Sequence, residues 1–174
     1  MIMGNNYVSL RAIEKDDLPQ LMRWRNKPDF RKYFRENSEI NIAKQYKWFD
    51  MINSVNSIHK MFAILDSDSN KLIGACGLCY IDWINRSADF SIYIGHNDLY
   101  IDNKFAVEAA ELMIDYGFSV LNLHRLWAEI YSIDEAKKSF FDSLNFKLDG
   151  ELRQTYWHNN KWHNSLFYSL LSHD

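Results

Sequence analysis

Residues 88–120 read ADFSIYIGHNDLYIDNKFAVEAAELMIDYGFSV, and the order of patterns within them decides the fold. Ala88–Ile94 alternates apolar with polar or small side chains and predicts a strand, which the turn-forming run Gly95–Asp98 ends. From about Lys104 to Val120, apolar side chains recur at helical spacing and predict the strongest helix of the chain. A strand, a polar loop and a long helix therefore follow one another at the centre of the sequence.

The flanking segments alternate between the period of a strand and the period of a helix. Helices are expected where apolar residues recur three or four apart behind a cap or a proline, at about Leu18–Asn26, Ile42–Ile52 and Asp134–Leu144, the last with Asp134 as its N-cap. Strands are expected in the β-rich runs Tyr7–Ala12, His59–Asp66, Lys71–Asp82, Arg125–Ile130, Phe146–Leu152 and Ser165–Leu171, the last two around a polar loop at His158–Lys161. This order predicts an α+β, or mixed α/β, fold in which helices pack on the faces of a sheet.

Length and composition limit the classes of protein to consider. The chain has 174 residues, the size of one domain, so residues 1–174 are expected to form a single domain. Lys and Arg number 20 against 23 Asp and Glu, and the net charge of −3 argues against a nucleic-acid partner. No apolar stretch approaches the roughly 20 residues that span a bilayer, and the N-terminus lacks a secretion signal. We therefore expect a cytoplasmic protein with no membrane partner.

The two cysteines, Cys76 and Cys79, lie in the β-rich run LIGACGLCYI. Residues three apart on a strand point to opposite faces, which disfavours both a disulfide and a shared metal. We interpret them as ordinary buried thiols. His158 and His163 have no cysteine or acidic third ligand nearby in the sequence, so no metal site is expected.

The central stretch and its continuation, EAAELMIDYGFSVLNLHRLWAEI and SFFDSLNFKLDGELR, resemble the GCN5-related N-acetyltransferase (GNAT) family, and most closely its ribosomal-protein N-terminal, RimJ/RimL-like branch. The similarity includes the opening VSLRAIEKDDLPQLMRWRN, the midsection KLIGACGLCYIDWINRSADFSIYIG and the end ELRQTYWHNNKWHNSLFYSLL. It implies a mixed, mostly antiparallel twisted sheet of about seven strands flanked by about four helices. It also implies an enzyme in which a primary amine attacks acetyl-CoA directly and takes its acetyl group.

The resemblance puts the coenzyme A site on the loop before the long helix and on the preceding strand. Family members usually read Q/R-x-x-G-x-G/A in this loop, and its amides and the helix N-terminus hold the pyrophosphate because they present unpaired N–H donors to an anion. The same positions here read IDNKFA, so that Lys104 replaces the first glycine and Asp102 adds a negative charge. The cofactor-binding residues implied are Asn103, Lys104, Phe105 and Ala106 in the loop, Ile92, Tyr93 and Ile94 along the pantetheine arm, and Asp134 at the position of a pantetheine-binding asparagine.

Acetyl transfer to an amine needs an acceptor for the proton of the amine and a proton for the departing thiolate. Asp89, at the start of the central strand, is the catalytic candidate for the first role; the alternative is a structural carboxylate that bonds to backbone or faces solvent. The tyrosine that supplies the second proton in many relatives corresponds to Phe141, which has no proton to give. Water, Ser139 and Tyr131 are the substitutes, and a thiolate leaves readily even without a strong acid.

The resemblance implies that the first two helices cover the acceptor pocket. The substrate-binding candidates are Trp24, Arg25 and Asn26 at the end of the first helix and Trp48 on the second. The alternatives are core packing for the tryptophans and a surface ion pair for Arg25. The acceptor is expected to be a protein N-terminus or another amine. The same pattern also looks like acetyltransferases of nucleotide-linked amino sugars, in which Arg and aromatic side chains hold a sugar or a diphosphate. A non-catalytic acyl-CoA-binding module is the third alternative, because Lys104 and Phe141 both depart from the family pattern.

Overall fold

A computed structural model describes residues 3–36 and 38–174, and its central feature is one sheet with helices on both faces. The strands are β1 (Met3–Gly4), β2 (Val8–Ala12), β3 (Lys60–Asp66), β4 (Leu72–Asp82), β5 (Ser87–Ile94), β6 (Arg125–Tyr131), β7 (Lys147–His158) and β8 (Lys161–Leu171). The α-helices are α1 (Leu18–Asn26), α2 (Pro28–Arg31), α3 (Ile42–Ile52), α4 (Phe105–Asp115) and α5 (Glu135–Ser143). The strand order is β1-β2-β3-β4-β5-β6-β8-β7, and only the pair β5 and β6 is parallel.

The predicted fold class, a mixed and mostly antiparallel sheet with flanking helices, is confirmed. An eighth strand appears among the described residues because the short β1 pairs with β2. The predicted loop at His158–Lys161 is shorter than expected, since β7 continues to His158 and β8 begins at Lys161. Asn159 and Asn160 make the turn with φ of 48° and 57°, a left-handed conformation that asparagine tolerates and a two-residue hairpin turn requires.

The helices also follow the predicted positions with two additions. The segment after α1 contains the short helix α2, which starts at a proline. The predicted helix Lys104–Val120 consists of α4 followed by a π-helical turn over Tyr116–Val120. None of the helices in the described part of the chain is long and apolar enough to cross a membrane.

Both faces of the central strands are buried, because each face carries its own helical layer. On β3, Ile64 belongs to the core beneath α4 and α5, whereas its neighbours Ala63 and Leu65 belong to the core beneath α1 and α3. The same alternation separates Ile92 from Tyr93 on β5. Strands buried on both faces carry near-continuous apolar runs, as β3 and β4 do here.

The two cysteines are free thiols, and of the pair predicted to be buried, Cys76 is buried whereas Cys79 is half-buried. Cys76 is buried in the core beneath α4, and the Sγ of Cys79 lies 3.4 Å from the Sδ of Met61. Burial raises the pKa of the Cys79 thiol to about 12, so this thiol is protonated and unreactive at neutral pH.

The parallel pair β5 and β6 separates after three residue pairs, and this separation positions the candidate site. The pairs are Ser87 with Arg125, Ala88 with Leu126 and Asp89 with Trp127. Beyond them β6 continues beside β8 as far as Tyr131, whereas β5 stays beside β4. An opening therefore forms between the two strands, with Asp89 at its apex.

Candidate active site

The edge of β5 that faces the opening offers backbone hydrogen-bonding groups. The Gly95 N–H donates to the Ile73 carbonyl on the β4 side at 2.8 Å, whereas the Ile94 N–H donates to the Tyr100 carbonyl on the other side at 2.9 Å. Successive peptide groups of a strand point in opposite directions, so the N–H of Ile92 points to the same side as that of Ile94. The polar backbone of Ile92 is therefore directed into the opening.

Asp89 carries the carboxylate at the apex of the opening and is only 7% exposed. The Nη1 of Arg35 donates to its Oδ2 at 2.7 Å, and the Nε of the same guanidinium donates to Glu129 Oε2 at 3.2 Å. Burial raises the pKa of Asp89 and prevails over Arg35, whose charge and hydrogen bond lower it. The result is a carboxylate more basic than an ordinary aspartate, next to a second carboxylate on β6.

A cavity of about 380 Å³ lies against this carboxylate pair. Its walls come from β3, β4, β5 and β6, from α1, α3 and α5, and from the loop that connects α2 to α3. Among the residues that line it, the charged ones are Arg25, Arg35, Glu36, Lys44, Asp89, Glu129 and Lys137. Four cations and three carboxylates thus surround a space large enough for a small ligand.

The structure divides the four predicted substrate-binding residues. Arg25 and Trp48 line the cavity, and the Arg25 guanidinium stacks on the Phe34 ring at 4.0 Å. Trp24 instead is 6% exposed and packs in the core beneath α1. Asn26 also lies outside the lining and exchanges two hydrogen bonds, of 2.7 and 2.8 Å, with the backbone of Ile40. Its side chain therefore anchors the loop that carries Arg35.

Arg25 is unusual because its Nε is buried and has no hydrogen-bond partner among residues 3–36 and 38–174. Burial lowers the pKa of Arg25, but guanidinium stays charged in proteins. A buried donor without a partner costs free energy unless a ligand or a water satisfies it.

The loop before α4 already binds an anion, the carboxylate of Asp102. Its Oδ1 accepts the N–H of Ala106 at 2.7 Å and its Oδ2 accepts the N–H of Phe105 at 3.2 Å. Asn103 and Lys104 are exposed, and the Lys104 ammonium lies 3.9 Å from the centroid of the Tyr7 ring. The predicted anion donors are therefore present at this helix N-terminus, and a side chain of the same loop occupies two of them.

Asp134 caps α5 as predicted and is nearly inaccessible, at 1% exposed. One carboxylate oxygen accepts the N–H of Lys137 at 3.0 Å, and the other accepts the Tyr100 hydroxyl at 3.1 Å. The Tyr100 hydroxyl thus ties the loop before α4 to the start of α5. A pantetheine amide would have to reach a carboxylate that already has two partners.

Two of the proposed proton donors for the thiolate, Ser139 and Tyr131, are not among the residues that line the cavity. Ser139 is exposed on α5, and Tyr131 stacks on Tyr156 with ring centroids 3.8 Å apart. Phe141 is 1% exposed within an aromatic cluster that includes Phe90. Among the described residues, no group of three or more His, Cys, Asp or Glu side chains is arranged to hold a metal ion.

Sequence reasoning missed five of the charged residues that line the cavity, namely Arg35, Glu36, Lys44, Glu129 and Lys137. Arg35 lies in an irregular loop and is 54 residues from Asp89, so no local pattern connects them. The burial of Lys137 could have been predicted, because a lysine four residues before Phe141 lies on the same apolar face of the helix.

Comparisons with known proteins identify similar chains. Residues 8–147 match the profile of the acetyltransferase (GNAT) domain. An uncharacterised N-acetyltransferase, p20, of Bacillus licheniformis is 30% identical over 148 residues, which are 84% of this chain and 82% of that protein. The spermidine N(1)-acetyltransferase of Escherichia coli K12 is 26% identical over 95% of this chain and 87% of its own length. The crystal structure of a Vibrio cholerae spermidine N-acetyltransferase in complex with CoA and spermine superimposes with a TM-score of 0.86 and 24% identity, over 97% of this chain and 98% of that one.

Proposed function

Since this chain belongs to the acetyltransferase (GNAT) family, and is thus an acyl-CoA-dependent N-acetyltransferase that acts on amines, we propose that its acceptor is a small polyamine of the spermidine type. The relatives with a stated acceptor act on spermidine, whereas the sequence predicted a protein N-terminus first. Their identity of 26% leaves the acceptor to be argued from the charges of the site.

The residues of the opening fit the coenzyme A part of the donor. The helix N-terminus at Phe105 and Ala106 binds a carboxylate, so it has the donors that a pyrophosphate requires, with Asn103 and Lys104 beside them. Along β5, the backbone of Ile92 faces the opening and can pair with an amide of the pantetheine arm, whereas Tyr93 pairs with Ala75 on β4 and the Ile94 N–H donates to the Tyr100 carbonyl. We keep Ile92 and the four loop residues as proposed cofactor contacts, place Tyr93 and Ile94 beside the arm without a free backbone N–H for it, and give Asp134 the role of holding α5 and Tyr100 in place.

One observation carries the polyamine proposal, the cation held between Asp89 and Glu129. The Arg35 guanidinium bridges the two carboxylates at 2.7 and 3.2 Å. Its side chain is 44% exposed and lies on a loop, so it can leave when a ligand with a similar charge arrives. Arg35 therefore marks the position that a substrate ammonium would take. Glu36 at the cavity provides a further carboxylate for a second ammonium of a polyamine.

Acetyl-CoA supplies a thioester whose carbonyl carbon takes the attack of the amine. An alkylamine with a pKa near 10.4 is mostly protonated at neutral pH and must lose a proton before it attacks. Asp89 is proposed to accept that proton, either directly or through one water, because burial raises the pKa of its carboxylate. Glu129 accepts a 2.6 Å hydrogen bond from the Ser165 hydroxyl, which fixes its carboxylate, and it is proposed to hold the amine in place.

The test combines calorimetry with acetyl-CoA and an assay of thiol release on a panel of spermidine, spermine and a peptide with a free N-terminus. We expect thiol release with the polyamines, a lower kcat in Asp89→Asn and a higher KM for spermidine in Glu129→Gln. Glu111→Gln, an exposed position on α4, is the matched control and should keep both constants. Release with the peptide and none with spermidine would contradict the proposed acceptor.

A second acceptor class, an amino sugar linked to a nucleotide, is favoured by the buried and unpartnered Nε of Arg25. A phosphate or carboxylate on the acceptor would satisfy this donor, and the four cations of the cavity suit an anion. Arg25→Met separates the two classes. It should abolish turnover of an anionic acceptor while spermidine turnover continues.

A further inference from the structure

Lys137 is a largely buried cation of the cavity that the reaction described above does not use. Lys137 is three residues after Asp134 and four before Phe141, a spacing that puts it on the inner face of α5. It is 9% exposed and lines the same cavity as Asp89. Its Nζ lies 5.3 Å from the centroid of the Tyr100 ring.

A largely buried ammonium such as that of Lys137 contributes little to the stability of the fold. Taking an ammonium out of water costs several kcal/mol, and an exposed lysine on another face of α5 would avoid this. The charged and titratable groups that face Lys137 come from several elements, namely Asp134 on α5, Asp89 on β5, Arg25 on α1, Arg35 in the loop after α2 and Tyr100 before α4. The charges of the two carboxylates and the two guanidiniums balance one another. No further carboxylate in this group is then left to balance the ammonium of Lys137.

The position that carries the proton-donating tyrosine in many relatives is implied by the resemblance to be Phe141 here. Phe141 packs against Phe90 and Phe146, with ring centroids 6.2 and 4.9 Å away, and has no ionisable group. Lys137 is one helical turn before Phe141 and reaches the cavity at the end where β5 and β6 separate.

We propose that Lys137 is the general acid of this enzyme and that its ammonium protonates the sulfur of coenzyme A as the thioester breaks. The inference rests on the acetyl transfer proposed above. The amine nitrogen bonds to the carbonyl carbon, and the carbon–sulfur bond breaks with its electron pair on sulfur. The proton that Asp89 accepted from the substrate ammonium before the attack has by then passed to solvent. Lys137 gives a proton to that sulfur and becomes a neutral amine, while the carboxylate of Asp89 takes a second proton from the nitrogen of the acceptor as the amide forms. One proton then passes from Asp89 to Lys137 through water in the cavity and restores both groups.

The proton affinity of Lys137 suits this role. Burial lowers the pKa of Lys137 and prevails over Asp134 and Asp89, whose charges raise it. The shift is in the direction of the pKa of a thiol, and proton transfer is most efficient when the pKa values of donor and acceptor are close. The Tyr100 hydroxyl does not compete, because burial raises its pKa and it donates to Asp134.

The first experiment needs no substitution and no turnover. Coenzyme A is bound to the protein, and the ultraviolet absorbance of its thiolate is followed against pH. An ammonium beside the sulfur stabilises the thiolate, so the bound thiol should titrate below its value in water. The same titration with Lys137→Met should return the thiol to an ordinary or higher pKa.

The second experiment measures thiol release in a single turnover with acetyl-CoA and the acceptor. Lys137→Met should lower the rate by about 100-fold at neutral pH, as expected for a lost general acid. Lys138→Met is the matched control, since the neighbouring Lys138 bonds to Ser132 and Glu135 outside the cavity, and it should keep the wild-type rate. The double variant Lys137→Met/Phe141→Tyr should recover part of the rate, because a phenol again offers a proton.

The outcomes separate this inference from the proposed function. If wild-type enzyme turns over but Lys137→Met keeps its rate and pH profile, or the bound thiol titrates as it does in water, Lys137 is not the acid and acetyl transfer stands. If calorimetry shows no binding of acetyl-CoA to the wild-type protein, the proposed function fails and this inference fails with it.

Discussion

Asp102 occupies the helix N-terminus that we assign to the pyrophosphate, so removal of its charge should tighten the binding of acetyl-CoA. Asp102→Asn keeps an oxygen that can cap α4 but removes the negative charge. The carboxylate now lies 2.7 Å from the Ala106 nitrogen and 3.2 Å from the Phe105 nitrogen. A phosphate oxygen that accepts hydrogen bonds from the same N–H groups would displace the Asp102 carboxylate. The carboxylate would still lie within ~6 Å of the phosphate.

The size of the effect follows from that distance. Two unit charges about 6 Å apart in water interact by roughly 0.7 kcal/mol, and the two charges of a pyrophosphate double this. Screening at physiological salt, with a Debye length of about 8 Å, removes about half. A neutral cap is also easier to displace than a charged one. Together these effects predict a gain of about 1 kcal/mol, which is ~5-fold in Kd.

Isothermal titration with acetyl-CoA at two salt concentrations measures this gain, which should shrink at high salt. Asp115→Asn makes the same change of charge on α4, about 15 Å further along the helix, and should leave Kd unchanged. Lys104→Glu should act in the opposite sense and weaken binding by about 10-fold, because it puts a second negative charge on the loop. Unchanged or weaker binding in Asp102→Asn would show that the pyrophosphate does not use this helix N-terminus.

Two further predictions concern stability. A Cβ on Gly95 would lie 2.0 to 2.4 Å from three ring atoms of Trp24. Gly95→Ala should therefore lower the free energy of unfolding by about 3 kcal/mol in urea denaturation. As the control, a Cβ on Gly150 meets no atom within 4 Å, so Gly150→Ala should leave the free energy of unfolding unchanged. Equal stability of the two variants would be inconsistent with the packing of Trp24. Burial raises the pKa of Asp17, but the hydrogen bonds from Arg11 and from the Glu14 N–H prevail and lower it. Asp17 therefore stabilises the fold above an unfolded-state pKa of about 3.9 and loses this contribution as pH falls through its lower folded-state value. Asp17→Asn should lower the free energy of unfolding by about 2 kcal/mol at pH 7, and by progressively less as the pH falls below 4. A difference between variant and wild type that stays constant across this pH range would show that the ion pair is not its cause.

The order of the elements and the family were both predictable from the sequence. Periodicity is a local property, so a pattern such as Ala88–Val120 predicts a strand, a loop and a helix without knowledge of their neighbours. The cap at Asp134 and the free thiols were predictable for the same reason, because each depends on residues a few positions apart. The Asp102 cap is also local, and its three- and four-residue hydrogen bonds were within reach of the same reasoning.

The tertiary structure alone decided which charges meet at the site. Asp89 reaches Arg35 across 54 positions, and Glu129 joins them because β6 lies beside β5 for only three residue pairs. Sheet order and the point of separation depend on packing between distant segments, which no local period encodes. The same packing buries Lys137, whose sequence context alone also allowed an exposed lysine on α5. The chemistry of this enzyme is thus set by contacts that form only when both helical layers close on the sheet.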